Sequence, residues 1–459
     1  MRILHAIHDF LPRHRAGSEI YAYQLAREQS SRHDVFVVAA EYDPSTPHGT
    51  LRWRMYDGIT VIELVNNWEF RGFSESYSSP RLNAQLEHVL DATAPDVLHV
   101  HNLLNLSLDL PAIARARGIR TVATLHDYTL VCVSGGQRVH VAERHVCETI
   151  DPERCSRCFV QFPFAGQLAA ARLTRGMAGR AIGQAAATLR RMAPGFTDAA
   201  ARRVPRPPVE PADIRRRLAY AQHVFENIDL FVAPSQAIAG DFVRLGLDDA
   251  RIEVSDYGFV PATPMPRKQR EPGVPLRVGF VGTLVWHKGA HLLVEAARGL
   301  KGAFEIHVHG DETTFPSYVG DLRRLANGLP VTFHGGFDRE STALVYDNLD
   351  VLVVASLWPE NSPLVIHEAF MHRVPVLAAD VGGIGGLVVD GVNGLLYDAF
   401  SVDALRAALQ RALDDPPLLD LMSAARTRVK AIAQDAREWD ARYSRVTPAS
   451  VSPSAAAPA

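Results

Sequence analysis

The stretch DVLVVASLWPENSPLVIHEAF, Asp350 to Phe370, decides the fold. Asp350 leads an apolar, valine-rich run through Ala355, the composition of a strand buried on both faces. A loop carrying Pro359 and Pro363 follows, and after it apolar positions recur at helical spacing. The same strand-loop-helix unit repeats along the chain. One series runs RILHAIH from Arg2, DVFVVAA from Asp34, DVLHVH from Asp96, TVATLH from Thr121 and LFVAPS from Leu230. A second runs LRVGFVG from Leu276, FEIHVHG from Phe304, VTFHGG from Val331, DVLVVAS from Asp350 and VPVLAAD from Val374. Short apolar strands separated by amphipathic segments predict parallel sheets covered by helices, an α/β chain of two Rossmann-like, doubly wound domains.

Composition agrees with this class and excludes others. The 459 residues are 47% hydrophobic and 22% charged, with a net charge of −3 and four cysteines. That excludes collagen, disordered chains and disulfide-stapled miniproteins. No run approaches the roughly eighteen apolar residues of a spanning helix. The opening MRILHAIHDFLP is too short in its apolar run, and too interrupted by His5, His8 and Asp9, for a signal peptide, so a cytoplasmic location is expected. The expected organisation is a first domain over 1–258, a Pro-rich linker over 259–275, a second domain over 276–430, a last helix over 431–446 that returns to the first domain, and a disordered tail over 447–459. The near-neutral total hides a block. From Ala165 to Arg217 there are eleven Arg against two Asp and one Glu, so this segment is +8 and the remainder −11. An ordinary helical excursion and a face for an anionic membrane or a lipid-linked pyrophosphate are both open readings.

Ligands of open α/β sheets collect beyond the carboxyl ends of strands. After VGFVG, the loop Gly282-Thr283 to Lys288-Gly289 offers a glycine turn and a lone cation before a helix, a pattern suited to phosphate. After DVLVVAS, Glu360 and Glu368 stand eight apart, the first in a loop and the second one turn into a helix. Amides around Asn361, Ser362 and Leu364 open that helix. Two carboxylates for sugar and ribose hydroxyls, flanking an amide nest for a diphosphate, suit a nucleotide sugar.

The stretches at 278–296 and 359–397, with their HKG loop, E-x7-E pair and GG…V-DG-NG-L ending, resemble the donor domain of the retaining glycosyltransferases of family 4, the group 1 enzymes of GT-B fold. The first half carries matching features: Gly17 in HRAGSE, LHVHN at 98–102, TLHDY at 124–128, FVAPSQ at 231–236 and the Tyr257-Gly258 step. The resemblance implies that Lys288 neutralises the donor diphosphate, Glu368 holds ribose and Glu360 contacts the transferred sugar. It also implies that amides at Asn361 to Leu364 and at Gly17 approach the phosphates, that His126 sits beside sugar and acceptor, and that Gly310 and Phe337 border the base. Lys288, Glu360 and His126 are thus the expected catalytic set, with no metal needed for catalysis. Two departures stand out. Thr283 occupies the position of a common Arg, a loss of about 1.5–3 kcal/mol if nothing replaces it. Asn361-Ser-Pro replaces a Gly-Phe-Gly-like stretch, and Pro363 is tolerated at a helix start. The expected partners are a nucleoside-diphosphate sugar and a glycan or lipid-linked acceptor, in polysaccharide or glycoconjugate synthesis, with no nucleic acid. A non-catalytic scaffold that binds nucleotide sugar or protein partners is the alternative.

All four cysteines fall in one segment, Cys132, Cys147, Cys155 and Cys158, spaced C-x14-C-x7-C-x2-C. A structural zinc, free or redox thiols, a cluster and disulfides are all open readings of this spacing.

Overall fold

The computed structural model describes residues 1–140, 143–161, 166, 208–263, 273–338, 340–425 and 427–446. Most of the basic block at 165–217, the middle of the linker and the tail at 447–459 lie outside the described residues.

Every apolar run named above becomes a strand. In the first domain β1 (Arg2–Ile7), β2 (Asp34–Glu41), β4 (Ile59–Val65), β5 (Val97–Val100), β6 (Arg120–Thr124), β9 (Leu230–Ala233) and β10 (Ile252–Val254) are parallel to their neighbours. β3 (Leu51–Tyr56) pairs antiparallel with β4 at one edge, giving the order β10-β9-β6-β5-β1-β2-β4-β3. A small separate hairpin, β7 (Val139–His140) with β8 (His145–Val146), lies between β6 and the helix Pro152–Gln161. The second domain is a sheet of parallel pairs: β11 (Leu276–Val281), β12 (Phe304–His309), β13 (Val331–Gly335), β14 (Val351–Val354), β15 (Val376–Ala379) and β16 (Gly394–Tyr397), in the order β13-β12-β11-β14-β15-β16. Both are doubly wound sheets of Rossmann type, and β5, β9, β14 and β15 are buried along their whole length. The continuous apolar runs follow from that burial, because neither strand face meets water.

The chain crosses between domains twice, side by side. Phe259 pairs with Ala431, its N–H donating to the Lys430 carbonyl at 2.8 Å while its own carbonyl accepts from Ile432 at 2.7 Å. Gly258 is required there, since a Cβ would lie 2.8 Å from Ile432 Cα. The last helix, Ile432–Arg445, then closes the first domain: Trp439 and Tyr443 are fully buried in one cluster with Ile3, Tyr21, Val97 and Val122. Trp439 donates to the Tyr21 hydroxyl (3.0 Å), which donates to Asp435 (2.8 Å). No helix among the described residues is long and apolar enough to cross a membrane. Of the basic block, Arg215 and Arg216 are exposed on the helix Pro211–Glu226, whereas Arg217 points inward and is buried. It therefore does not belong to a solvated basic face.

Candidate functional site

The site is built where the carboxyl ends of the two sheets face each other. Behind β11 a single 3-10 turn, Trp286–Lys288, presents Lys288 and ends at Gly289, whose φ of +75° and whose approach to Ala355 admit no side chain: a Cβ would lie 1.8 Å from the Ala355 carbonyl oxygen. Lys288 thereby reaches the loop after β14. Its Nζ lies 2.5 Å from Glu360 Oε1, which also accepts from the Ser356 hydroxyl at 2.6 Å, and it stands 5.2 Å over the Trp358 ring. Glu360 is buried, so the pair is partly removed from water and each charge depends on the other.

Two helix N-termini converge beside this pair. The helix Leu364–Met371 begins after Pro363 and the helix Gly17–Gln29 after Ala16, and neither N-cap residue supplies a side-chain hydrogen bond. A Cβ on Gly17 would come within 3.2 Å of Leu364 Cδ1, so the two ends meet across the cleft. Both ends carry uncapped N–H groups and the positive pole of a helix, and an anion between them is stabilised by both. One turn into the second helix, Glu368 accepts from the buried Tyr346 hydroxyl at 2.7 Å, which fixes the orientation of its carboxylate. The loop is braced from behind by Gly382 and Gly383, where a Cβ would strike the backbone of Glu360 and Asn361, and the Gly383 N–H donates to the Glu360 carbonyl at 2.6 Å.

At the far side of β11 the loops after β12 and β13 pack shoulder to shoulder. Gly282 donates to the His309 carbonyl at 3.0 Å, and a Cβ on Gly310 would lie 2.1 Å from the Gly282 carbonyl oxygen. Phe337 is 37% exposed and meets His309 edge-on, with ring centroids 5.8 Å apart. Burial lowers His309 to about 4, so a neutral aromatic pair borders this end of the cleft at pH 7. Thr283 is exposed beside it and brings no positive charge. Arg15, in the loop before Gly17, acts across the cleft on Asp338, whose carboxyl is held low first by the Ser341 hydroxyl and, in smaller measure, by Arg15.

Three expected site side chains are employed differently from the sequence reading. His126 does not offer its ring to the cleft: Nδ1 is 2.9 Å from the Tyr257 hydroxyl and Nε2 is 3.0 Å from His101 Nδ1. Its carbonyl oxygen is what faces the other domain, accepting from Asn361 Nδ2. Ser362 likewise ties the domains, donating to Asp256 at 2.6 Å with its oxygen 2.8 Å from His367 Nε2. Burial pushes Asp256 up, but His367, Ser362 and the Tyr257 N–H outweigh it and hold the carboxyl below its usual range. Ser362 thus leaves only its backbone to a ligand, whereas Asn361 keeps a buried Oδ1 with no hydrogen-bond partner among the described residues.

The His126 ring belongs to a buried column that the sequence showed only as His-bearing strand ends. His101 Nε2 is 2.9 Å from His5 Nδ1, His5 Nε2 is 3.0 Å from Gln29 Oε1, and Gln29 Nε2 donates to the Tyr443 hydroxyl at 3.3 Å. With the Gln29 oxygen as acceptor, each neutral imidazole must donate through Nε2 and accept through Nδ1, which makes the Tyr257 hydroxyl the donor to His126. Burial lowers His5 to about 4 and His126 to about 3, and His99 and His101 fall well below their ordinary value for the same reason. Tyr346, Ser356, Asp256 and Gln29 carried no sequence signal, and Tyr257 only a place in the step toward the second domain, because each role is defined by what lies across a cleft or sheet from it.

Residues 15–156 match the family model described as Glycosyltransferase Family 4, and residues 263–430 match that of Glycosyl transferases group 1. The chain belongs to the family 4, group 1 glycosyltransferases. This family 4 chain is 32% identical over 217 residues to a D-inositol 3-phosphate glycosyltransferase of Xylanimonas cellulosilytica, 43% of this chain and 52% of that protein. To the putative colanic acid biosynthesis glycosyltransferase WcaL of Salmonella typhimurium it is 28% identical, over 47% of this chain and 54% of that one. The matches thus span about half the length of these curated relatives. Among solved structures, Anabaena HepE in complex with UDP and glucose superposes with a TM-score of 0.62 at 17% identity, covering 97% of this chain and all of that one. Sucrose-phosphate synthase of Thermosynechococcus elongatus gives 0.59 at 18% identity, covering 97% and 94%. Together they establish the GT-B fold for this family 4 chain.

Proposed function

We propose that the protein transfers a sugar, with retention of anomeric configuration, from a nucleoside-diphosphate donor to a glycan or lipid-linked acceptor in polysaccharide or glycoconjugate synthesis. The convergence of the Gly17 and Leu364 helix N-termini beside the Lys288–Glu360 pair carries this reading. A diphosphate seated between the helix ends meets N–H groups from both domains. Lys288 then exchanges Glu360 for phosphate oxygen, which frees the Glu360 carboxylate for the transferred sugar. As the bond to the leaving nucleotide breaks, negative charge grows on the β-phosphate, and Lys288 with the helix-end amides stabilises it. The charge is met by these groups, so the transfer step is assigned no metal. Glu368, oriented by Tyr346, takes the ribose hydroxyls, and Phe337 with His309 borders the base. Tyr257 and His126 act through position, fixing the carbonyl to which Asn361 is fastened.

HepE's description with UDP and UDP-glucose makes UDP-sugars the first probes, and the WcaL name supports a polysaccharide acceptor. Thr283, exposed and uncharged where a guanidinium is common, favours the rival reading of a binding scaffold without turnover. A panel of UDP-, GDP- and ADP-sugars, read by nucleotide binding and by nucleotide release, separates them. Binding plus release that Glu360→Ala abolishes supports transfer. Binding without release, across all donors and with an acceptor extract present, supports the scaffold, and failure of every donor to bind rejects both.

A further inference from the structure

The segment between β6 and the helix Pro211–Glu226 contains a feature the donor chemistry does not use. Its described secondary structure is a hairpin of two-residue strands and one ten-residue helix, too small to bury a core of their own. Every cysteine of the protein lies here. Cys132 follows the turn after TLHDY, its N–H donating to the Tyr128 carbonyl at 2.7 Å. Cys147 directly follows β8, its N–H donating to the Arg138 carbonyl at 2.7 Å. Cys155 and Cys158 stand one turn apart on the helix Pro152–Gln161. All four are free and partly buried. Loop, hairpin and helix therefore each bring thiols to one region.

A second observation concerns charge. Arg217 is buried and, among the described residues, has no carboxylate partner. Its guanidinium donates to two backbone carbonyls, Leu130 at 3.2 Å and Thr129 at 2.7 Å. The groups that favour its charge are Cys132, Tyr77 and Cys155, against a burial that disfavours it. Arg154 and Arg138 act on Cys147 as well. Neutral thiols give a buried guanidinium no counter-charge, whereas a tetrathiolate around a divalent ion carries a net charge of about −2.

We propose that Cys132, Cys147, Cys155 and Cys158 hold one Zn2+ as a tetrathiolate, which fastens the hairpin and helix to the turn beyond TLHDY and gives Arg217 its counter-ion. The assignment is independent of the donor reading. Zinc binds sulfur as thiolate. Each S–H then gives its proton to solvent as its sulfur bonds zinc. Four protons leave per ion, and no electron is transferred. No three of the sulfurs lie within 4.8 Å of one another, against the roughly 3.8 Å separation that tetrahedral Zn–S bonds impose. Loading therefore draws the sulfurs closer together.

The test uses the full chain, purified without chelator and reduced. Expected are one zinc per chain by elemental analysis, four thiols by titration only after unfolding with chelator, and release of four protons when metal-free protein takes up ZnCl2. Co2+ in place of zinc gives the absorption of a tetrahedral tetrathiolate. Cys147→Ser, outside the core, lowers zinc affinity at least tenfold while circular dichroism shows the fold retained. Arg217→Met lowers it several-fold if the guanidinium balances the cluster. Protein that stays well below one zinc per chain after reloading, with four freely reactive thiols, overturns the proposal. Cysteines recovered as disulfides from freshly reduced and refolded protein, or a Co2+ spectrum with fewer than four sulfurs, overturn it too.

Discussion

The loop after β14 and the histidine column of the first domain solve the same problem in opposite ways. Both bury polar groups near the cleft. The loop keeps its charges and pairs them: Lys288 holds Glu360, with Ser356 completing the carboxylate's contacts. The column gives its charges up, since burial keeps His5, His99, His101 and His126 neutral; His126, His101 and His5 pass a hydrogen bond from ring to ring, and His99 is held by the Tyr443 and Thr124 hydroxyls. A charged pair can be taken apart by an incoming anion that replaces one partner, so it suits a site that opens. A neutral chain of directed hydrogen bonds has nothing to exchange, and it suits a scaffold that must hold one geometry.

The largest expected effect tests whether the column depends on the returning helix. Trp439 is buried with its ring 4.1 Å from His99, and Trp439→Ala is expected to cost about 3–5 kcal/mol of unfolding free energy, measured by denaturant titration. Next comes the loop: Lys288→Ala removes the cation that meets the leaving diphosphate, and turnover is expected to fall by about 10²–10³-fold with the fold intact. Equal turnover in this variant would remove Lys288 from the mechanism.

The two regions should also differ in acid. The ordinary imidazole value is 6.5, whereas the folded state holds His5 at about 4 and His126 at about 3. Below 6.5 the unfolded chain takes up protons that these folded rings refuse, so their contribution is complete above 6.5 and is lost as pH falls toward 4. The expected slope is about 1.4 kcal/mol per pH unit for each such histidine, read from chemical denaturation across that window. A flat profile would show that the column opens without cost. A smaller effect follows from Tyr443→Phe, which unlinks Gln29 from His99 and is expected to cost about 1–3 kcal/mol in stability with little change in nucleotide affinity. Least of all, Tyr346→Phe removes one hydrogen bond that orients Glu368 and should weaken nucleotide binding by about 1 kcal/mol. Loss of deoxyribonucleotide discrimination in the same variant would tie Glu368 to the ribose.

Much of this was written locally. The apolar runs of β1, β5, β11 and β14 were legible because strands buried on both faces cannot alternate with polar residues. Lys288, Glu360 and Glu368 were legible because their chemistry and their place after a strand coincide. The hairpin β3–β4 was passed over although Asp57-Gly58, with φ of 47° and 78°, is a two-residue hairpin turn; its half-exposed strand lacks a continuous apolar run. His126 was read from its type and place, but a histidine's role depends on what its two nitrogens meet, and those partners, His101 and Tyr257, come from elsewhere in the chain.

The sequence by itself determined the two doubly wound sheets, the family, and which residues bring charge to the cleft, since hydrophobic periodicity and loop chemistry act over a few residues. Only the tertiary structure decided that Lys288 rests on Glu360, that Gly17 and Leu364 bring two helix ends together, and that Arg217 lies buried beside the cysteines. Those facts depend on distances between segments far apart in the chain, and on the burial that turns an ordinary charge or imidazole into a paired or neutral one.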